Sequence, residues 1–394
     1  MQKEKIYDYL DSKEKEIIEI RRYLHQRPEL SFKEFKTSEY IKKFYDGKNI
    51  EQLRCPVGLN GLTAKIKGKK PGRTIAIRGD FDALPITEET GLPYKSLTPG
   101  AMHACGHDAH TAVLLGVADA LMQFKDELPG DVVIIHQYAE ETPPGGAMAM
   151  IADGALDGVD AIIGGHVWPS YEPGEVGLRS GMTMAGRTYF KAVIAGKGGH
   201  GSMPHLCVDP IVAASHFVVA AQSITSRNID PADSAVVTFG RFAGLGSFNI
   251  IPESVSLEGD IRDCSKEVSQ TIEKRFRELL CGIASAYGCS AELIYERDYP
   301  PVTNDAHLVS LAEKFVQSGS IPNLKSCPGA MTMGSEDFSY YQQKIPGLYA
   351  FFGARLAGES YLPHNAKFDI DESCLLYMAK FYAGFAVDFL EEEF

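Results

Sequence analysis

Three residues able to bind a metal ion fall within five positions in His103-Ala104-Cys105-Gly106-His107. Cysteine thiolate and histidine imidazole are both good donors for zinc and similar ions. Gly106 lets the backbone turn so that Cys105 and His107 face one point. Alone, the segment also fits a loop with a buried cysteine and surface histidines. Further donors elsewhere in the chain narrow the reading. Glu140 and Glu141 follow the apolar run Val132-Val133-Ile134-Ile135. Adjacent carboxylates there meet desolvation and mutual repulsion unless a cation offsets both. Capping of the next helix is the plainer alternative. His166 follows Ala161-Ile162-Ile163-Gly164-Gly165; by itself it reads as a satisfied core histidine. Together these groups supply thiolate, imidazole and carboxylate. That suffices for two divalent ions about 3.5 Å apart holding a bridging water. Glu141 is then a ligand, and Glu140 is left to take a proton from that water.

The elements that must position these donors follow from hydrophobic patterning. Ile6, Leu10, Ile17, Ile20 and Leu24 form one helical stripe that Pro28 ends. A second helix is expected over 33–44 and an Ala- and Leu-rich one over 109–123. Residues 74–77, 132–135 and 161–163 read as buried strands, ending at Asp80, at Glu140-Glu141 and at His166. Continuous apolar strands alternating with helices predict an α/β fold with a mostly parallel sheet covered on both faces. In such sheets the ligand site lies at the carboxyl ends of the strands, where these residues stand. From about residue 187 the pattern alternates instead, over 188–194 and 254–262, with a third strand over 235–239. One helix follows Asp209-Pro210, and another carries Ile272, Phe276, Leu279 and Ile283. This stretch reads as an inserted α+β lid domain over 187–297. The catalytic domain is expected over 1–186 and again over 298–394, where a helix near 307–318, a strand at 348–352 and a helix over 372–391 return to the first style.

The 394 residues suit two domains, and 44% hydrophobic with 23% charged residues is an ordinary globular composition. A formal net charge of -13 without a Lys/Arg cluster argues against a nucleic-acid partner. No run approaches the roughly 20 apolar residues of a membrane span. The charged opening has no signal-peptide pattern, so a soluble, cytoplasmic protein is expected. The eight cysteines are scattered, and apart from Cys105 they read as reduced and mostly buried.

The chain resembles the aminoacylase, hippurate hydrolase and auxin-conjugate hydrolase branch of the two-metal exopeptidase family. The segments that carry the likeness are 24–30, 78–85, 103–110, 139–141, 165–169, 198–202, 249–252, 335–338 and His364. They run in order along nearly the whole chain. The resemblance implies a catalytic domain interrupted by a lid. It implies metal ligation by Cys105, His107, Glu141, His166 and His364, with Glu140 as general base. Spacing alone would not find His364, which by itself reads as a surface histidine. Asp80 and Asp82 are implied as groups that orient a ligand. His200 is expected to stabilise the oxyanion, and Asn249 and Arg262 to receive the substrate carboxylate. The implied reaction is amide hydrolysis of an N-acyl amino acid, with two divalent ions per chain. Zinc is favoured by the thiolate; manganese, cobalt and nickel stay open. A homodimer through the lid is also implied. A dipeptidase or carboxypeptidase with the same site, and a non-catalytic metal-binding protein, are the alternatives. His136-Gln137-Tyr138-Ala139 departs from the Phe-Gln-Pro-Ala usual in this branch, and His136 is read as a packed residue. Cys207 is read as an ordinary lid residue.

Overall fold

Four strands whose side chains are buried along almost their whole length occupy the middle of one sheet: Asp131–Gln137, Thr74–Asp80, Ala161–Trp168 and Gly347–Gly353, in that spatial order. All three pairings among them are parallel. This follows from their uninterrupted Val, Ile, Ala and Phe content, which needs cover on both faces. The computed structural model describes residues 3–392 apart from 49 and 71. The chain divides into two compact units, residues 1–183, 303–331 and 337–394, and residues 184–302 with 332–336.

In the first unit the sheet has eight strands, and its margins are mixed. The hairpin of Gln52–Val57 and Gly61–Ile66 joins antiparallel to Asp131–Gln137. On the other side Glu175–Leu178 runs antiparallel to Gly347–Gly353, and Lys325–Pro328 runs parallel to Glu175–Leu178. These marginal strands are short or partly exposed and carry no continuous apolar run, so patterning did not reveal them. The helix His107–Gln123 is buried on nearly every face. It packs against Lys3–His25 and Cys374–Glu391. A Cβ on Gly116 would lie 2.6 Å from Ile17 Cδ1, so glycine is what allows the first two of these helices their close approach.

A buried ionic cluster ties Lys3–His25 to the start of His107–Gln123. The Arg21 guanidinium reaches Asp108 at 3.1 Å, Asp369 at 2.7 Å and Glu372 at 3.0 Å. His25 adds a 2.8 Å contact to the same Asp108 carboxylate and one of 3.3 Å to Glu88. Burial alone would depress the His25 pKa, but Asp108 and the hydrogen bonds to Asp108 and Glu88 bring it up to about 9. Desolvation offsets much of the Coulombic gain in a buried ion cluster, so its net stabilisation is small. Its contacts to Asp108 link the first helix to the turn that carries His107.

The second unit is a four-stranded antiparallel sheet in the order Ala235–Gly244, Ser254–Asp263, Gly186–Ala195, Ser290–Tyr299. Burial alternates strictly along Gly186–Ala195, as a sheet with one covered face requires. Helices Pro210–Arg227 and Lys266–Ala286 cover that face. Phe190, Phe217 and Phe276 meet at its centre with ring centroids 4.7–5.0 Å apart for the contacts of Phe276. Both helices begin at side-chain caps, Asp209 accepting from Ile211 N–H and Ser265 from Val268 N–H.

Candidate active site

The carboxyl ends of the parallel strands and the loops after them converge in the first unit. Cys105 lies in the loop before His107–Gln123, and His107 opens that helix. Gly106 between them has φ +88°, and a Cβ there would stand 2.4 Å from Val167 Cγ2. Both conditions demand glycine. His166 lies inside Ala161–Trp168 rather than at its end, because the strand continues through Val167 and Trp168. His364 comes from an irregular loop with φ +69°, and its N–H donates to Ala104 O at 2.7 Å. That bond seats the late loop on the cysteine loop.

The five expected ligands fall into two overlapping groups, and Glu140 lies in a further group with His107 and Glu141. Cys105, His107 and His166 lie with donor atoms within 4.8 Å of one another, and so do Cys105, Glu141 and His364. Cys105 Sγ is 3.1 Å from His166 Nε2. Glu141 Oε1 is 3.2 Å from His364 Nε2 and 3.9 Å from His107 Nε2. His107 Nε2 and Glu141 Oε1 are both buried and make no hydrogen bond. Buried polar atoms left in this state are rare unless a cation or water completes them. His364 is the exposed member, at 55% of its side chain against 7% for Glu141, so the cluster opens on that side.

The tautomers follow from the partners. His166 Nδ1 faces the Val167 carbonyl at 2.6 Å, and His107 Nδ1 faces the Asp82 carbonyl at 3.0 Å. A carbonyl only accepts, so each Nδ1 carries hydrogen and each neutral ring offers its Nε2 lone pair to the cluster. Asp82 also takes His107 Nδ1 at 3.2 Å. Its two oxygens accept the backbone N–H of Glu140 and of Glu141, each at 3.0 Å, and Oδ2 accepts Ser31 Oγ at 2.7 Å. Asp82 thus fixes one donor and the main chain of the glutamate pair.

Asp80 has other partners. Its carboxylate receives His110 Nδ1 at 2.6 Å and Arg78 Nη1, and stands 3.8 Å from His107 Nε2. His110 Nε2 in turn accepts Val167 N–H at 3.1 Å. His110 had no role in the sequence reading, although its position one turn beyond His107 on the same helix is a usable signal. Arg78 is held by Gln137 Oε1 at 2.9 Å and Asp337 Oδ1 at 2.9 Å, so the arginine lies within a buried frame.

The electrostatics point to a cation. Burial, with Glu141 and Glu140 adding to it, pushes the Cys105 thiol well above its usual range. Burial would lower the His107 pKa, but Asp80, Asp82 and Glu141 raise it to about 10. Both shifts express a negative potential that holds protons where a divalent ion would displace them. The donor set, the two buried unpartnered atoms and this potential all fit metal ions.

His103 and His136 stand apart. His103 is in none of the donor groups, its ring centroid is 6.4 Å from that of His25, and burial lowers its pKa to about 4. His136 pairs with Tyr45 Oη at 2.8 Å, as a packed residue would.

His200, Asn249 and Arg262 belong to the second unit. Gly199–His200 pairs antiparallel with Ile250–Ile251, and Gly201 N–H donates to Asn249 O at 2.9 Å. The fold therefore brings His200 and Asn249 to one short ribbon. His200 is exposed, and its Nδ1 accepts the Ser202 N–H at 3.2 Å. The neutral ring then carries its proton on Nε2. Arg262 donates to Asp260 Oδ2 at 2.6 Å and to Met333 O at 3.1 Å.

The chain is similar to known proteins over nearly its whole length. The sequence signature of peptidase family M20/M25/M40 matches residues 76–388. N-acetyl-L-cysteine deacetylase of Bacillus subtilis is 41% identical over 372 residues, covering 94% of this chain and 88% of that protein. An IAA-amino acid hydrolase of Arabidopsis thaliana is 38% identical over 383 residues, covering 95% and 86%. A solved dinuclear metal binding peptidase of the M20 family, from Bacillus subtilis, superposes with TM-score 0.86 at 36% identity, covering 97% of this chain and 99% of that one.

Proposed function

Because the chain belongs to peptidase family M20/M25/M40, we propose that it hydrolyses the amide bond of N-acyl amino acids with two divalent ions held by Cys105, His107, Glu141, His166 and His364. The observation that carries this reading is the pair of donor groups that meet at Cys105. The substrate class is supported by relatives that are a deacetylase of an N-acetyl amino acid and a hydrolase of amino-acid conjugates. Two ions are supported by the dinuclear relative of the same fold. The thiolate favours zinc among the candidates, with manganese, cobalt and nickel as competitors.

When bound, the ions supply Lewis acidity toward water and the substrate carbonyl. Glu140 accepts a proton from the attacking water as its oxygen bonds to the carbonyl carbon. His200 donates a hydrogen bond through Nε2 to the developing oxyanion. Glu140 then passes its proton to the departing nitrogen as the C–N bond breaks. A carboxylic acid and a free amino acid leave. Asn249 and Arg262 receive the amino-acid carboxylate, with Arg262 already oriented by Asp260.

A homodimer through the second unit completes the proposal. Ala235–Gly244 is an edge strand with Val236 and Phe242 exposed, and Pro210–Arg227 exposes Val212 and Val219. An open edge beside exposed apolar side chains favours self-association.

The substrate class is tested by steady-state kinetics on a panel of N-acetyl and N-benzoyl amino acids beside dipeptides. The N-acyl amino acids are expected to have the higher kcat/KM. A preference for dipeptides would move the protein to the exopeptidase reading of the same site.

A further inference from the structure

Among the described residues only four non-glycine residues have positive φ, and three of them are Phe32, Ala139 and His364. Ala139 immediately precedes Glu140, is fully buried and has φ +53°. An alanine in this left-handed region meets its own carbonyl through Cβ, so it holds only where its surroundings enforce it. Its N–H donates to Glu34 Oε1 at 2.9 Å. Glu34 is fully buried, and its other oxygen accepts Asn60 Nδ2 at 3.0 Å. Glu34 occupies the cap position of Phe35–Tyr45 but makes no capping bond. Its carboxylate is directed at the neighbouring loop instead.

Three successive backbone amides, of Ala139, Glu140 and Glu141, are therefore each taken by a buried carboxylate oxygen. Asp82 supplies two of them and Glu34 the third. The loop of Glu34 follows the glutamate loop at two more points. Thr142 Oγ1 donates to Ser31 Oγ at 3.1 Å, and the Phe32 and Tyr138 rings meet edge-on at 6.0 Å.

We propose that Glu34 is a positioning residue for the hydrolytic base: by accepting the Ala139 N–H it holds that residue left-handed and so aims the Glu140 carboxylate. The inference rests on Glu140 being the base. The Glu34 carboxylate bonds to the Ala139 N–H and to Asn60 Nδ2 and not to a metal-ligand side chain. Its role requires an acceptor at Oε1, which glutamine retains because Asn60 can turn its amide to match.

The test compares Glu34→Gln, Glu34→Met and Glu34→Met with Ala139→Gly, using hydrolysis of an N-acetyl amino acid and metal content per chain. Glu34→Gln is expected to stay within about threefold of the parent kcat, and Glu34→Met to lose on the order of 10-fold to 100-fold. KM and metal content stay unchanged. Glycine adopts positive φ without a clamp, so Ala139→Gly is expected to restore most of the loss in Glu34→Met. A simple packing defect would not be repaired in this way. Parent-like turnover in Glu34→Met, an equal loss in Glu34→Gln, or no rescue by Ala139→Gly overturns the proposal. Should Glu34→Met not fold, Asn60→Ala carries the test, with a smaller loss of kcat that Ala139→Gly reverses; no loss, or a loss that persists, overturns it. Glu140→Gln is assayed in parallel. If it stays active, the base assignment itself fails and the Glu34 role with it. If it is inactive while Glu34→Met is normal, only the Glu34 role fails.

Discussion

Glu140→Gln is expected to lower turnover by about 10²–10⁴ while leaving most of the metal in place. Glutamine has the same shape but cannot accept the proton of the attacking water. The backbone N–H of Glu140 donates to Asp82 Oδ1 at 3.0 Å, an anchor that the substitution leaves in place. Glu141→Gln is expected to act differently. Glu141 Oε1 is the buried unpartnered oxygen near His364 and His107, so the amide removes an anionic donor from the cluster. Metal content should fall there, and activity with it. Turnover and metal per chain measured on both variants separate the roles. Near-parent turnover in Glu140→Gln, or an exchange of the two phenotypes, would show the assignment to be wrong.

His200→Ala is expected to cost about 10²–10³ in turnover with metal content intact, the usual scale for losing one oxyanion donor. The observation behind it is chemical: Ser202 N–H occupies Nδ1, which leaves the exposed neutral ring a donor at Nε2. None of the neighbouring residues 196–202 is a carboxylate or thiolate, so the segment does not read as another metal site. The imidazole serves either its own chain or the partner subunit of a dimer. Mixing His200→Ala with Glu140→Gln protein distinguishes these. With dimer formation and subunit exchange shown by sedimentation, recovered activity indicates donation across the dimer, and no recovery assigns His200 to its own chain. Normal turnover in His200→Ala alone would remove His200 from the mechanism.

What the sequence revealed of the site tracks how local each signal was. Cys105 and His107 are two positions apart, and Glu140, Glu141 and His166 follow apolar runs that mark strands. Such signals are readable because a parallel sheet forces its ligand site to the strand ends. His364 came only from family resemblance, since its place depends on a bond to Ala104 some 260 positions earlier in an irregular loop. His110 and Glu34 were not singled out. His110 reads as one more residue of a buried helix until its two nitrogens are seen between Asp80 and Val167. Glu34 reads as a charged residue opening a helix, and nothing in the sequence says that its carboxylate is fully buried. The same limit holds for the fold. The buried strands and the alternating ones declared themselves by period. The marginal strands Glu175–Leu178 and Lys325–Pro328 did not, being four residues each. Nor does any local pattern indicate that residues 332–336 cluster with the second unit.

Metal analysis of the purified protein, joined to activity during removal and return of the metal, tests the central claim most directly. Up to two divalent ions per chain are expected, as the paired donor groups at Cys105 would hold them. Exhaustive chelation should abolish hydrolysis of N-acyl amino acids, and added zinc, manganese, cobalt or nickel should restore it in step with occupancy. Full activity in protein that has been stripped and contains no detectable metal would contradict it.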